Sequence, residues 1–424
     1  MELIVLLFSL LALLAIRVPV ALALLISAIL VFALLGLNPL IAVQRLSAGI
    51  DVFTLMAIPF FVFAGDLMTQ TGIAARLIKV AEGMFGRVRG GLGHVNVGAS
   101  MMFGAVSGSA VASVSAIGST MIPIMEKKGY DRDFAVNVTS SAAVLGLIIP
   151  PSHNMIIYAA AATVSVSVGE LFVAGIIPGL LCGLALMITV SIIAAQKGYP
   201  KGVFPGFQAL LMSVIGAIPG LLTAIIIVVG ILGGVFTPTE SSAVAIVYTI
   251  AIGVFVYRTL GWGQFRTAVV NASKTTAMIM LIIGSAAAFG WLLALLEAPR
   301  MMSDLILGLT SSPVLILLMI ITSLLLLGTF MDMAPLIIIV TPIFLPVALT
   351  IGVDPVHFGI IMMLALGIGT ITPPVGTVLF VGAAVGKIRI EDTVKTMWPF
   401  YIALIICLIV VTLLPSLSLV LVGR

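Results

Sequence analysis

Long apolar runs fill almost the whole chain, and only short polar segments separate them. Apolar residues make up 62% of the 424 residues, whereas charged residues make up 8%. A water-soluble domain needs about 25% charged residues to cover its surface, so this chain cannot fold as one. The polar segments are 76–93, 126–133, 196–208, 258–266, 297–304 and 387–395. Because each crossing takes about 20 apolar residues, we predict an all-α integral membrane protein with many spans.

Charge, cysteine and motif patterns exclude several classes of function. The net charge is only +4, and the basic residues form short clusters between apolar runs, as orientation signals at a membrane surface do. Gly382–Ile388 has one residue too few for a phosphate-binding loop, and Cys182 and Cys407 lie inside apolar runs. The apolar stretch before Arg17 lacks a cleavage site, which favours a retained membrane helix. We predict no enzyme, no cofactor and no nucleic-acid partner.

The two halves of the chain carry the same landmarks at a nearly constant offset of 223 residues. The matching pairs are Pro150 and Pro151 with Pro373 and Pro374, Gly146 with Gly369, Pro123 with Pro346, Gly129 with Gly352, and Asp131 with Asp354. We therefore predict two repeats, 1–200 and 201–424, each with scaffold helices and joined by the linker 196–208. A shorter offset upstream predicts an additional span in the second half, over Ser241–Tyr257.

Each half also contains two stretches that do not suit an ordinary membrane helix. Residues 97–117 are rich in glycine and serine, and their counterpart in the second half is broken near Asp332. These features predict re-entrant helical hairpins over 90–126 and 313–349. The next segment of each half contains consecutive prolines, which remove two backbone donors. The prolines predict interrupted helices over 134–165 and 356–385.

Breaks in membrane helices point to a binding site. Backbone groups freed by a break cost several kcal/mol each in hydrocarbon, so breaks persist where protein, water or a ligand satisfies them. Paired discontinuous helices in two halves are typical of secondary transporters, in which half-helix N-termini face anions and unwound carbonyls bind sodium. Simple proline kinks and a small-residue packing seam between helices are the structural alternatives.

Six segments resemble the large membrane subunit of tripartite ATP-independent periplasmic (TRAP) transporters, and together they extend over nearly the whole chain. They are PFFVFAGDLMTQTG at Pro59–Gly72, SGSAVASVSAIGSTMIP at Ser107–Pro123, IIPPS at Ile148–Ser152, LFVAGIIPG at Leu171–Gly179, FTPTESSAVA at Phe236–Ala245 and GTITPPVGTVLFV at Gly369–Val381. The resemblance implies an inverted-repeat elevator fold and sodium as the coupling ion. It also implies a small four-helix membrane subunit and a periplasmic substrate-binding protein as partners, in the bacterial or archaeal cytoplasmic membrane.

The resemblance further implies one sodium ion between each hairpin tip and its partner break. The expected sodium ligands are Ser107, Gly108, Ser109 and Pro150 in the first half, and Gly328, Asp332, Thr370, Thr372 and Pro373 in the second. The substrate is expected between the two ions, near Ser152, His153, Asn154, Gly376 and Thr377. Because His153 corresponds to Gly376, the site is expected to be asymmetric, with a purely structural role for His153 as the alternative.

The function expected from these features is sodium-coupled import of a small organic carboxylate, such as a dicarboxylate, a sialic acid or another sugar acid. One alternative is a stand-alone sodium/anion symporter of the same architecture. The other is an integral membrane enzyme acting on lipid, which would require several acidic or histidine side chains converging from neighbouring helices.

Overall fold

The computed structural model describes residues 1–16, 18–202, 206–310 and 312–423, except for the side chains of residues 54, 303, 306 and 307. Arg17 and residues 203–205 of the predicted linker lie outside the described residues. Regular secondary structure in the described ranges is helical, apart from one isolated bridge between Arg89 and Lys201. The prediction of an all-α protein is confirmed for this part of the chain.

The helices divide at the segment around residues 198–206. Before it lie α1 (Glu2–Ala15), α2 (Val20–Leu34), α3 (Leu40–Ile50), α4 (Ala57–Gln70), α5 (Ile73–Phe85), α6 (Gly91–Ser107), α7 (Ala110–Ser113), α8 (Ser119–Lys127), α9 (Arg132–Ala143), α10 (His153–Ala161), α11 (Val168–Ala174) and α12 (Ile176–Lys197). After it lie α13 (Phe207–Leu232), α14 (Pro238–Ala251), α15 (Trp262–Leu295), α16 (Ala298–Leu309), α17 (Pro313–Gly328), α18 (Met333–Thr350), α19 (Pro355–Thr370), α20 (Thr377–Gly386), α21 (Ile390–Leu413) and α22 (Ser416–Leu419). Short 3₁₀ segments lie at Phe53–Met56 and Val144–Leu147, and π-helical segments lie at Val114–Gly118 and Ile252–Val256.

Six helical segments of the described chain are long and apolar enough to cross a membrane. They are Val168–Lys197, Phe207–Leu232, Pro238–Val256, Trp262–Leu295, Met333–Thr350 and Ile390–Leu413. Pro238–Val256 occupies the position of the additional span predicted over Ser241–Tyr257. These segments make the chain a multi-pass membrane protein.

Two tight turns, one in each half of the chain, have the same conformation. Gly129 and Gly352 both adopt the left-handed region, with φ of +86° and +81°. Each glycine N–H donates to a carbonyl three residues earlier at 3.0 Å, and an aspartate two residues later, Asp131 or Asp354, precedes the next helix. A side chain would be strained at these positions, so glycine is the residue that allows the turn.

Two helix crossings bring backbone onto backbone. A Cβ added at Gly146 would lie 2.9 Å from Cα of Gly104, and a Cβ added at Gly369 would lie 2.5 Å from Cα of Gly328. The first crossing joins α6 to the 3₁₀ segment after α9, and the second joins α17 to α19. We refer to α6–α8 and to α17–α18 as the first and second helix–turn–helix units, and to α9–α10 and α19–α20 as the first and second interrupted helices. Glycine on both sides of each crossing lets the unit lie directly on the interrupted helix.

The first helix of each helix–turn–helix unit packs on the interrupted helix of its own half of the chain, and the second helix packs on that of the other half. The first arms, α6 and α17, pack on α9 and α19 respectively. The second arm of the first unit, which begins with α7, packs on α20, while α18 packs on α10. As a result, both turns and both helix interruptions lie within one body of the protein. A separate apolar cluster joins α1, α2, α3 and the C-terminal part of α15.

A small polar cluster joins the loop between α8 and α9 to the end of α12 and the residues that follow it. The Asp131 carboxylate accepts hydrogen bonds from the Lys197 ammonium and, at 2.9 Å, from the Tyr199 hydroxyl. The rings of Tyr130 and Tyr199 lie 4.5 Å apart, so the carboxylate is held beside an aromatic pair. The Lys197 hydrogen bond is the main reason that the pKa of Asp131 is lowered. Burial raises the pKa of Tyr199, and the hydrogen bond to the Asp131 carboxylate raises it further.

Because the folded-state pKa of Asp131 is lowered, its contribution to stability is present above the ordinary carboxyl pKa of 3.8 and is lost as the pH falls below it. We expect Asp131→Asn to lower the free energy of unfolding at pH 6 by less than about 1 kcal/mol, since the pair is half-exposed. The difference between variant and native protein should shrink towards pH 3 in thermal unfolding of the purified protein. In a Lys197→Met background the same substitution should have less effect. An equal effect at pH 3 and pH 6 would contradict this assignment.

Candidate functional site

The first helix–turn–helix unit reverses at Gly108. α6 ends at Ser107, Gly108 has a φ of +62°, and Ser109 caps the next helix by accepting a hydrogen bond from the Ala112 N–H at 3.3 Å. A Cβ on Gly108 would lie 2.7 Å from the carbonyl oxygen of Pro151. The turn therefore lies directly on the first helix interruption, and only glycine fits at the contact.

The first interruption separates the 3₁₀ segment after α9 from α10. Pro150 and Pro151 have no N–H to donate to the carbonyls four residues earlier, so the helix stops. α10 then restarts at His153, with Ser152 as its N-cap residue. The Ser152 hydroxyl is buried without a hydrogen-bond partner among the described residues, and Asn154 is buried beside it. Polar groups with unused capacity thus line the start of α10.

The second helix–turn–helix unit reverses between Gly328 and Met333. The carbonyl oxygen of Thr329 accepts hydrogen bonds from the N–H groups of Val375 at 3.0 Å and Gly376 at 3.1 Å. The Thr377 hydroxyl donates to the Asp332 carboxylate at 3.4 Å. Main chain and side chain therefore both tie this turn to the second interruption.

The second interruption lies between α19 and α20, where Gly376 has a φ of +48°. A Cβ on Gly376 would lie 2.9 Å from the carbonyl oxygen of Thr372 and 3.2 Å from that of Thr370. Two carbonyl oxygens thus converge beside one glycine. The hydroxyl groups of the two threonines donate to carbonyls of their own helix, those of Gly367 and Ile368. At both threonines the backbone carbonyl oxygen, and not the hydroxyl, is therefore the group that faces Gly376.

The structure divides the predicted site residues into two groups. One group joins the first turn to the first interruption and contains Ser107, Gly108, Ser109, Pro150, Ser152, His153 and Asn154. The other joins the second turn to the second interruption and contains Gly328, Asp332, Thr370, Thr372, Pro373, Gly376 and Thr377. Asp332 is exposed, whereas Ser152 and Asn154 are buried.

Tyr401 lies at the second interruption but is not among the residues predicted from the sequence. The Tyr401 hydroxyl of α21 donates to the Ile371 carbonyl oxygen at 2.7 Å. Tyr401 lies 30 positions further along the chain, on a helix that has no break of its own. No motif connects the two residues, so only the packing of α21 reveals the contact.

The family model of the tripartite ATP-independent periplasmic transporter, DctM component, matches residues 7–417. The chain belongs to this family. It is therefore a transporter permease component and not an enzyme. Among the described residues, no group of three or more His, Cys, Asp or Glu side chains lies together in a way that could hold a metal ion.

Curated relatives extend over almost the full length of this TRAP family member. The C4-dicarboxylate TRAP transporter large permease protein DctM of Pseudomonas aeruginosa is 42% identical over 87% of this chain and 86% of its own length. The sialic acid TRAP transporter large permease protein SiaM of Vibrio cholerae is 38% identical over 91% of this chain and 90% of its own. The resemblance drawn from the sequence motifs is thereby confirmed.

Among solved structures, the fold of this TRAP family member is similar to that of the YdaH transporter of Alcanivorax borkumensis. The TM-score is 0.61 at 12% identity, over 88% of this chain and 87% of that one. MtrF of Neisseria gonorrhoeae gives the same TM-score at 13% identity, over 90% of this chain and 85% of its own. At such identities the similarity concerns the fold alone.

Proposed function

We propose that the chain imports a small organic carboxylate and couples this import to the entry of sodium. One observation carries the proposal, namely that each of two turns lies against an interruption in a helix of the same body. Gly108 lies on the Pro151 carbonyl, and Thr329 binds the N–H groups of Val375 and Gly376. Interrupted backbone in a membrane persists where protein, water or a ligand satisfies it. Two such pairs support two places for bound ions.

The proposed sodium ligands are mainly backbone carbonyl oxygens. At the second interruption Pro374 has no N–H for the Thr370 carbonyl, which converges with the Thr372 carbonyl beside Gly376. Asp332 supplies a negative charge at the facing turn. Hard cations prefer such oxygen ligands, and unwound helix carbonyls bind sodium in other transporters. At the first interruption the corresponding ligands are the residues Ser107–Ser109 and Pro150.

The proposed carboxylate site lies between the two ions. α10 begins at His153, and the N–H groups at a helix N-terminus attract an anion. The buried Ser152 hydroxyl and the Asn154 amide lie at the same helix end. From the second interruption Thr377, whose hydroxyl already donates to Asp332, contributes the start of α20. Gly376, whose N–H already donates to Thr329, shapes the site by its lack of a side chain.

Alternating access is proposed to occur by an elevator movement of one body of the protein against a scaffold. The repeats 1–200 and 201–424 are proposed to be inverted relative to each other, and the hairpins 90–126 and 313–349 to be re-entrant. The moving body contains both turns and both interruptions. The scaffold contains the separate apolar cluster of α1, α2, α3 and α15. A cavity of about 240 Å³ lies between α3 and α15 on one side and α10 and α18 on the other. Small residues such as Gly49, Ala160 and Ala287 line it, which suits surfaces that slide.

The charge distribution supports one orientation in the proposed bacterial cytoplasmic membrane. The backbones of Arg89 and Lys201 form an isolated β-bridge, and the Lys197 ammonium binds the Asp131 carboxylate, so these loops share one end of the molecule. The basic residues of the loops at this end include Arg87, Arg89, Lys127, Lys128, Arg132, Lys197, Lys201, Lys387 and Arg389. Asp354 lies at the opposite end, where α10 ends beside the start of α19. By the positive-inside rule, the basic end faces the cytoplasm.

The proposed partners are a small membrane subunit and a soluble periplasmic binding protein. The family is described as the DctM component of a tripartite transporter. The isethionate TRAP transporter permease protein DctMQ of Oleidesulfovibrio alaskensis is 39% identical over 97% of this chain but only 65% of its own length. The remaining length in that relative is consistent with a second subunit fused to the first. The soluble partner would deliver the dicarboxylate, sialic acid or other sugar acid to the end opposite the basic loops.

The test is uptake of labelled candidate carboxylates into proteoliposomes that contain this chain and the small subunit encoded with it. We expect uptake only when an inward sodium gradient and the substrate-loaded binding protein are both present. An inside-negative potential should accelerate it, because each net positive charge that enters gains about 2.3 kcal/mol per 100 mV. Replacing sodium by choline should stop uptake.

Two results would point elsewhere. Sodium-driven uptake of free carboxylate by this chain alone would identify a stand-alone sodium/anion symporter. Uptake that proceeds without sodium on addition of ATP would reject the proposed coupling altogether.

A further inference from the structure

We infer that Tyr401 is a positioning residue that keeps the second interruption in its binding geometry, an inference that rests on the proposed sodium site. Tyr401 lies on α21, is only 5% exposed, and donates its hydroxyl to the Ile371 carbonyl oxygen at 2.7 Å. A buried polar group at this depth is satisfied within the protein.

The Ile371 carbonyl lacks the hydrogen-bond donor that it would have in a continuous helix. In a continuous helix the carbonyl of Ile371 would accept from the N–H four residues later, which is that of Val375. Here the Val375 N–H donates instead to the carbonyl of Thr329, in the turn of the facing unit. The contact between turn and interruption therefore leaves the Ile371 carbonyl without its helical donor.

Tyr401 replaces that donor. If its hydroxyl were absent, the Ile371 carbonyl would be buried unsatisfied, which costs about 1–3 kcal/mol. The nearest way to regain a partner is a return of the Val375 N–H to Ile371, which would withdraw it from Thr329. The same rotation would move the carbonyls of Thr370 and Thr372 away from Gly376. The tyrosine thus favours the arrangement in which these carbonyls are available to an ion.

The first half of the chain solves the equivalent problem differently. Ile148 corresponds to Ile371 at the offset of 223 residues. A Cβ on Gly175 would lie 2.2 Å from the Ile148 carbonyl oxygen, so the backbone of Gly175 covers that carbonyl closely. The hydrogen bond from a tyrosine hydroxyl is therefore specific to the second interruption. Its removal should disturb the sodium site at the second interruption and leave the site at the first unchanged.

The experiment compares the native chain with Tyr401→Phe in the complete reconstituted transporter, using sodium titrations of uptake at saturating binding protein. Tyr130→Phe is the matched control, because it also removes a hydroxyl that donates to a backbone carbonyl, that of Pro200, at the membrane surface. We expect Tyr401→Phe to raise the half-activating sodium concentration about fivefold, the change that one typical hydrogen bond produces. The apparent affinity for the loaded binding protein at saturating sodium should stay within twofold of the native value.

A second readout separates positioning from general stability. Thermal unfolding of the purified chain is followed in sodium chloride and in choline chloride. Tyr401→Phe should lower the midpoint in choline and should also reduce the additional stabilisation by sodium, whereas Tyr130→Phe should leave the sodium effect unchanged. Unaltered sodium activation in Tyr401→Phe, or equal shifts in both variants, would overturn the inference alone. If the native chain shows no response to sodium in either assay, the proposed function fails and the inference falls with it.

Discussion

Asp332→Asn is expected to remove most sodium-driven uptake. The carboxylate lies at the start of α18, in the turn that faces the second interruption, and accepts a hydrogen bond from the Thr377 hydroxyl at 3.4 Å. Asparagine keeps the size of the side chain and loses the charge that would bind a cation. Because interactions with a charged partner contribute about 1.5–3 kcal/mol, we expect the half-activating sodium concentration to rise at least about tenfold. Sodium titration of uptake in proteoliposomes measures this change.

Asp304→Asn is the matched control for this variant. Asp304 is an exposed acid on α16, outside both turns and both interruptions. Asp304→Asn should leave the sodium titration unchanged. Both Asp332→Asn and Asp304→Asn should assemble with the small subunit. Native sodium activation in Asp332→Asn would remove the carboxylate from the proposed ligand set.

Gly369→Ala is expected to destabilise the protein and to disturb the second site at the same time. The added Cβ would lie 2.5 Å from Cα and 2.6 Å from the carbonyl carbon of Gly328. Both are backbone atoms, so α17 and α19 must separate. Overpacking of this kind costs about 1–3 kcal/mol. Thermal unfolding of the purified chain should show a lower midpoint, and sodium should stabilise the variant less than the native protein.

Gly263→Ala is the control for the glycine substitution. A Cβ at Gly263, in the first turn of α15, meets no atom within 4 Å. It should therefore fold at least as well as the native chain, since alanine favours a helix more than glycine does. Gly146→Ala should behave like Gly369→Ala, because its Cβ would lie 2.9 Å from Cα of Gly104. A native midpoint in both crossing variants would show that the helices can separate freely.

Much of the architecture could be predicted because lipid restricts what backbone can do. Spans were recognisable as apolar runs, since a membrane helix must satisfy every backbone group internally. The interruptions were recognisable for the complementary reason: consecutive prolines remove the donors that a helix needs. In the structure the interruptions lie at 148–152 and 371–376, inside the segments 134–165 and 356–385 that the prolines indicated.

The candidate ligands were less predictable atom by atom. Thr372 is expected as a sodium ligand, yet its hydroxyl donates to the Ile368 carbonyl at 2.8 Å, and its backbone carbonyl lies towards Gly376. Gly376 was expected near the substrate, and its N–H is bound to Thr329. A threonine or glycine in the sequence does not reveal which of its polar atoms a helix has already used.

The amino-acid sequence alone is enough to predict that this chain is a helical membrane protein, where its helices break, and to which family it belongs. Those properties depend on local chemistry: hydropathy, missing proline donors and glycine turns. The packing of the helices is needed to show that the Thr329 carbonyl accepts from the Val375 N–H and that the Tyr401 hydroxyl of α21 replaces this donor at Ile371. Such pairings join residues far apart in the chain, and each depends on which helices pack together, because a hydrogen bond forms only where packing brings donor and acceptor within reach.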